Sequence, residues 1–240
     1  RRTARFETRA PYLFQRMLVT SPVDKNAFVR RAGPESASCI DVVPNGVDWE
    51  YFAPRRGVCE PSTIIFTGKM SYHANEAAAL HLARRIMPEV WARKPEAKLI
   101  IAGKDPSASV RALAADGRVE VTGYVDDLRP VFARATVAAS PMVYGAGIQN
   151  KILEAMAAGV PVVTSPSACG SLTARPGDDL LVGETPAEVA RHVIRVLDEA
   201  GLAERLRTAG LAYVRRCHDW ADIGRQLAEI YRQAARGDRC

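Results

Sequence analysis

Lys151 and Glu154 stand three residues apart, just after a loop holding Gly145 and Gly147, in the stretch YGAGIQNKILEAMAAGVPVVTS at residues 144–165. On a helix that spacing puts both side chains on one face. As an exposed pair they would contribute only about 0.3 kcal/mol, and lysine before glutamate is the poorer order. A second chemistry fits the same residues. A helix that opens from a glycine loop offers unpaired N–H groups and the positive end of its dipole to a phosphate. The glycines allow a ligand close to the backbone. Glu154 could then accept hydrogen bonds from ligand hydroxyls while Lys151 or Lys69 offsets phosphate charge. The sequence leaves both readings open, and the loop by itself requires no more than a positive φ angle. Ile148, Ile152, Ala155 and Met156 form the buried face of the same helix.

Other chemistries find little support. The pattern GxGxxG fails because Gly145-Ala146-Gly147 runs into Ile148-Gln149-Asn150. The P-loop pattern fails at Gly68-Lys69 and Gly103-Lys104, which lack the Ser or Thr of a magnesium site. No Asp-x-Asp occurs, and the four histidines show no metal-ligand spacing, so no metal site is expected. Nucleic-acid motifs are absent, so nucleic acid is not an expected partner. Asp126 and Asp127 read as helix caps, Asn75 as another cap, and His73 as a polar loop residue rather than a base.

The 240 residues are 48% hydrophobic and 25% charged, which suits a globular protein with a sizeable core. A net charge of +6 favours anionic partners. Five scattered cysteines without a CxxC argue against a disulfide framework or structural zinc and suit a reducing cytoplasm. There is no secretory-signal pattern and no initial methionine, which reads as a piece of a longer chain.

Elements that must position these residues follow from periodicity. Residues 5–15 read as a helix and MLVTS as a strand; Ser21-Pro22 opens a helix ending at Gly33-Pro34, and CIDVV is a second strand. Pro44-Asn45-Gly46 begins a hinge. From residue 62, strands of four to seven apolar residues alternate with helices, which predicts βαβ units and an α/β fold, a Rossmann-like parallel sheet with helices on both faces. The expected division is 1–43 as the end of a preceding domain, 44–61 as hinge and linker, 62–217 as the main domain, and 218–240 as a crossover helix and tail. The loops TGKMSYHAN, AGKDP, TGYVDD and SPMVYGAG follow successive strands, where such sheets bind ligands. One site built from several loops is expected.

VVPNGVDWEYFAP and GIQNKILEAMAAGVPVVTSP resemble the hinge and donor-site signatures of family 4 glycosyltransferases, which have the two-domain GT-B fold. TGKM, LIIAGKD, VEVTGYVDDLRPVFARATVAASPM and LLVGETPAEVARHVIRVL fall in that family's order, so the resemblance covers roughly residues 12–235. The Gly-Ile-Gln-Asn-Lys variant resembles sugar transferases of exosortase-type exopolysaccharide systems. The resemblance implies retaining transfer from a UDP- or GDP-sugar, without an essential metal or other cofactor, to a glycan or lipid-linked acceptor. It implies Glu154 as the residue that holds the donor ribose and Lys69 as the one facing the diphosphate, the two catalytic positions. Amides of Ile148, Gln149 and Asn150 would take up phosphate, and Tyr124 and Val125 would touch the base. Gly68, Gly147 and Lys151 complete the donor set. Two positions depart from the pattern: Ala146 replaces the first glutamate of the paired motif, and the second lysine after Lys69 is missing, with Asn75 nearby. The expected place of work is the cytoplasm, at the inner face of the membrane where the acceptor is a lipid. With little of an acceptor domain, the chain is expected to bind donor without transferring sugar, to expose apolar surface near residues 1–43, and to self-associate. The alternative is a nucleotide- or phosphosugar-binding module without catalysis.

Overall fold

The computed structural model describes residues 2–54, 59–145 and 147–236. The chain opens with α1 (Arg2–Leu13), β1 (Met17–Val19) and α2 (Pro22–Ala32). Ser21 caps α2 by accepting the Asp24 amide, with proline at the first turn, as the sequence signals. A 3-10 turn (Pro34–Cys39) leads to β2 (Ile40–Val42), which pairs in parallel with β1 to make a two-stranded sheet.

Six parallel strands form the second sheet, in the order β5-β4-β3-β6-β7-β8. They are β3 (Thr63–Thr67), β4 (Lys98–Ala102), β5 (Val119–Gly123), β6 (Val137–Ser140), β7 (Val162–Thr164) and β8 (Leu181–Val182). The helices around them are α3 (His73–His81), α4 (Met87–Arg93), α5 (Ala108–Arg111), α6 (Arg129–Arg134), α7 (Asn150–Ala157), α8 (Pro166–Cys169), α9 (Pro186–Asp198), α10 (Ala200–Cys217) and α11 (Trp220–Ala235). Every residue of β3 and of β6 is buried, as continuous apolar runs in a covered parallel sheet require. The order reverses between β3 and β6, which places the switch point at their carboxyl ends.

Three local readings change. The long helix expected from Asn75 to Arg93 starts at His73 and is broken by a π-helical turn, Leu82–Ile86, ahead of Pro88, which has no N–H to continue a regular ladder. Asn75 lies inside the first turn of α3, while the N-cap is Tyr72. Cys39 is disulfide-bonded, against the expectation from cysteine spacing, while Cys59, Cys169 and Cys217 are free.

The hinge is stitched to the junction of α10 and α11. Val47 bridges Asp219, its amide donates to the His218 carbonyl at 2.9 Å, and Trp49 Nε1 donates to Asp219 at 2.6 Å. Helix α11 then reaches the first sheet: Gln226 donates to the Val42 carbonyl and Arg16 to Gln233. Of its apolar stripe, Ile223 and Ile230 are buried and Leu227 half-buried, whereas Trp220 and Tyr231 stay exposed. Trp220 nonetheless covers the hinge, since a Cβ on Gly46 would meet its ring at 2.4 Å. Exposed apolar side chains gather on α1 and its neighbours: Phe6, Tyr12, Leu13, Phe14 and Leu18.

Candidate functional site

A cleft of about 480 Å³ opens over the carboxyl ends of β3, β4 and β5 and the first turns of α7. Two tight loops form its floor. The Gly68 amide donates to Ala102 and the Gly103 amide to Gly123, so consecutive loops run against each other. A Cβ on Gly103 would lie 1.8 Å from the Gly68 carbonyl oxygen, so only glycine fits there. On the opposite wall, Gly147 adopts a φ of +77° just before α7, the left-handed conformation that glycine accepts freely.

Nine sequence-expected site residues line this cleft together: Gly68, Lys69, Tyr124, Val125, Ile148, Gln149, Asn150, Lys151 and Glu154. Gly147 shapes the loop before it. Ile148 is half-buried: it packs against the core, as its place in the stripe implies, and also lines the cleft. Ala146 lies outside the described residues. Tyr72, Asn75, Lys104 and Leu128 line the cleft too; the first three lie in the expected ligand loops but are not among the expected site residues, and Leu128 is not singled out by the sequence. For Lys104 a signal existed: it follows Gly103 at the end of an apolar strand, in the same position as Lys69.

The electrostatics are unusual for a surface helix. Helix α7 has no side-chain N-cap and no acidic residue in its first turn, so its free amides face the cleft uncompensated. Burial pushes the Lys151 ammonium down to about 8, opposed by the field of Glu154. Burial raises the Glu154 carboxyl, opposed by Lys151. Both groups are displaced toward neutrality, the pattern of a site rather than of a solvated pair. Lys151 Nζ donates to Asn75 Oδ1 at 2.9 Å and Gln149 Oε1 at 3.0 Å. Asn75 Nδ2 donates to the Lys69 carbonyl at 2.9 Å.

His73 is neither free nor placed as a base. Its Nδ1 lies 3.1 Å from the Tyr144 hydroxyl and the two rings stack at 5.4 Å, tying the glycine loop to the start of α3. Asp127 accepts the Arg129 amide and pairs with its guanidinium just ahead of α6, but the N-cap is Leu128 and no side chain caps the helix, so the capping expectation is not met there. Among the described residues no group of three or more His, Cys, Asp or Glu could hold a metal ion. A second cavity, about 430 Å³, lies at the other end of the sheet beside Thr136 and Pro161. Its lining is mainly apolar, and its arginines Arg129 and Arg207 are already paired to Asp127 and Glu204. The cluster of lysines with Glu154 thus lies in the first cleft and not in the second.

A doubly wound parallel sheet with a glycine-loop cleft at its switch point defines a Rossmann-like ligand-binding domain. Residues 61–199 match the family model described as Glycosyl transferases group 1. The phosphatidyl-myo-inositol mannosyltransferase of Mycobacterium tuberculosis is 31% identical over 211 residues, which cover 80% of this chain and 54% of the relative. The glycogen synthase of the same organism is 31% identical over 228 residues, 86% of this chain and 51% of the relative. HepE of Anabaena, solved with UDP and glucose, superposes with a TM-score of 0.74 at 17% identity over 90% of this chain and 62% of that one. Sucrose-phosphate synthase of Thermosynechococcus elongatus superposes with a TM-score of 0.73 at 23% identity, covering 92% and 58%. The chain belongs to the group 1 glycosyl transferases. It spans about half the length of the curated relatives it matches.

Proposed function

We propose that the cleft binds the nucleotide diphosphate of a UDP- or GDP-sugar, and that the chain is the donor-binding part of a retaining glycosyltransferase. The observation that carries this reading is the convergence, at one switch point, of an uncapped helix start, three lysines and a half-buried glutamate. Free amides at the start of α7 suit phosphate oxygens. Lys69 and Lys104, exposed at the ends of β3 and β4, add positive charge from the opposite wall. Glu154, one turn into α7, is set to accept two ribose hydroxyls. Tyr124 and Val125 form the rim on which a base would lie. The names of the relatives suggest mannosyl or glucosyl donors and a lipid-linked or glycan acceptor, with exopolysaccharide assembly as one setting. The proposed place is the cytoplasm, at the inner membrane face for a lipid acceptor. No helix among the described residues is long and apolar enough to cross a membrane.

Phosphate charge in this scheme is met by lysines and helix amides, without a divalent ion. A calorimetric screen of UDP-, GDP- and ADP-sugars tests the reading. Binding of one of them should survive EDTA and weaken at high salt, since partly exposed lysines are screened. A strict requirement for magnesium or manganese would overturn the phosphate scheme; no binding of any nucleotide would overturn the site. The exposed apolar side chains on and just after α1 lead to one more expected outcome: concentration-dependent self-association in sedimentation runs, suppressed by Phe14→Ser.

A further inference from the structure

The cleft lysines are held in two different ways. Lys69 and Lys104 reach out from loops and are exposed. Lys151 is half-buried on the first turn of α7, and the groups that hold its ammonium are neutral. Two are amide oxygens, from Asn75 and Gln149. The others are the Met142 sulfur at 3.9 Å and the face of Phe66, with its centroid 5.8 Å away. The Asn75 amide is fixed in this orientation, because its Nδ2 donates to the Lys69 carbonyl and so its Oδ1 must face Lys151. A desolvated cation held only by dipoles is costly unless a counter-charge arrives. Beyond the two amide oxygens, the remaining acceptor among the described residues is the weak Met142 sulfur, and Lys151 lines the cleft.

We propose that Lys151, caged by Asn75 and Gln149, is the anion receptor of the cleft: it takes the diphosphate, with Asn75 and Gln149 as its positioning residues. This rests on the nucleotide reading of the cleft. The titratable neighbours are Glu154 on the same helix, Lys69 and Lys104 from the β3 and β4 loops, and Tyr72 and Tyr124 at the rim. Of these, Glu154 is the group that pulls Lys151 toward its charged form, and burial outweighs it. With its pKa pushed by burial from the ordinary lysine value down to about 8, the ammonium is partly deprotonated in mildly alkaline solution. An arriving diphosphate restores the proton, so binding there takes up protons from the medium.

The test is calorimetry with UDP, GDP and inorganic pyrophosphate at pH 8, in two buffers of different protonation enthalpy. The wild-type chain should take up a fraction of a proton per ligand. Lys151→Met should bind about ten- to a hundred-fold more weakly, without uptake. Lys151→Arg should bind without uptake, since arginine stays charged. Asn75→Ala and Gln149→Ala should each weaken binding about five-fold. Glu154→Gln should keep the uptake; its loss there would assign the proton to Glu154 and overturn the proposal. Binding by Lys151→Met within two-fold of wild type would also overturn it. Lysine side-chain NMR of the ligand-free chain reads the cage directly, and a Lys151 that titrates like a free lysine would exclude it. Pyrophosphate bound with uptake, but no UDP or GDP, would refute the nucleotide reading and keep the receptor; no binding of any of the three refutes both.

Discussion

Two polar clusters lie in this fold, one at the hinge and one in the cleft, and they meet the cost of burying polar groups in opposite ways. At the hinge, the Thr173 amide donates to the Tyr213 hydroxyl at 3.1 Å, and that hydroxyl donates to His218 Nε2 at 2.8 Å. His218 Nδ1–H then donates to the Asn45 carbonyl at 2.6 Å; a carbonyl can only accept, which fixes the tautomer. The chain is neutral and closed. Burial lowers the His218 pKa and pushes Tyr213 up to about 12, so both stay uncharged near neutral pH. In the cleft, Lys151 and Glu154 remain ionisable and their neighbours are amides. A closed neutral network rigidifies, whereas an open charged one stores binding free energy for a ligand. A hydrogen bond from Asn45 Nδ2 to Asn150 Oδ1 at 2.9 Å joins the hinge to the first residue of α7.

The contrast breaks most visibly at His218. His218→Ala removes a fully buried ring and leaves Tyr213 and the Asn45 carbonyl unsatisfied, so folding stability should drop by about 2–4 kcal/mol in denaturant titrations. A drop under 1 kcal/mol would mean that the latch is not structural. Glu154→Gln should do the reverse. Nucleotide affinity should fall by about 1.5–3 kcal/mol, as for a charge-assisted bond. Stability at neutral pH should hold or rise, because a carboxyl with a raised folded-state pKa penalises the native state once ionised. Equal nucleotide affinity in this variant would remove Glu154 from the site.

The pH dependence separates the clusters further. His218 has a folded-state pKa below its unfolded value, so the unfolded chain binds the extra proton, and stability falls as pH drops below about 6.5. The same rule makes stability rise from about pH 8 toward 10.5 as the unfolded chain holds the proton that Lys151 has lost. Lys151→Met should flatten that alkaline rise and leave the acid limb in place; thermal melts across the range would show whether it does. The smallest effect is expected at the bond between Asn45 and Asn150. Asn45→Ala removes an exposed hydrogen bond, so nucleotide affinity should fall only about two-fold. A ten-fold loss would mean that the hinge sets the geometry of α7 far more strongly than one exposed bond can.

Much of the fold was legible because parallel strands buried on both faces are apolar runs, and TIIFT, KLIIA and VAAS are such runs between amphipathic helices. The cleft's place was legible too, since four loops with glycines follow four strands. What failed were features that local pattern does not encode. Asn75 looked like a cap because caps and first-turn residues have the same composition; its Nδ2 has a local partner in the Lys69 carbonyl, and the approach of α7 to α3 gives its Oδ1 the ammonium of Lys151. Lys104 was set aside with a P-loop that did not fit, although its place after a strand was the useful signal. His218 had no signal at all: its partners Asn45 and Tyr213 lie 173 and 5 residues away.

The sequence by itself determined the period and burial of each element, the glycines at the loop tips, and the residues that ring the cleft. These follow from short-range chemistry: apolar spacing, capping residues and backbone freedom at glycine. The tertiary structure decided which polar atoms meet. The order β5-β4-β3-β6-β7-β8 brings α7 against the start of α3 and turns two separate residues, Lys151 and Asn75, into one caged cation. The return of α11 to the first sheet buries His218 against the hinge. A hydrogen bond depends on position to within a few tenths of an ångström, and only the packed chain fixes positions that closely.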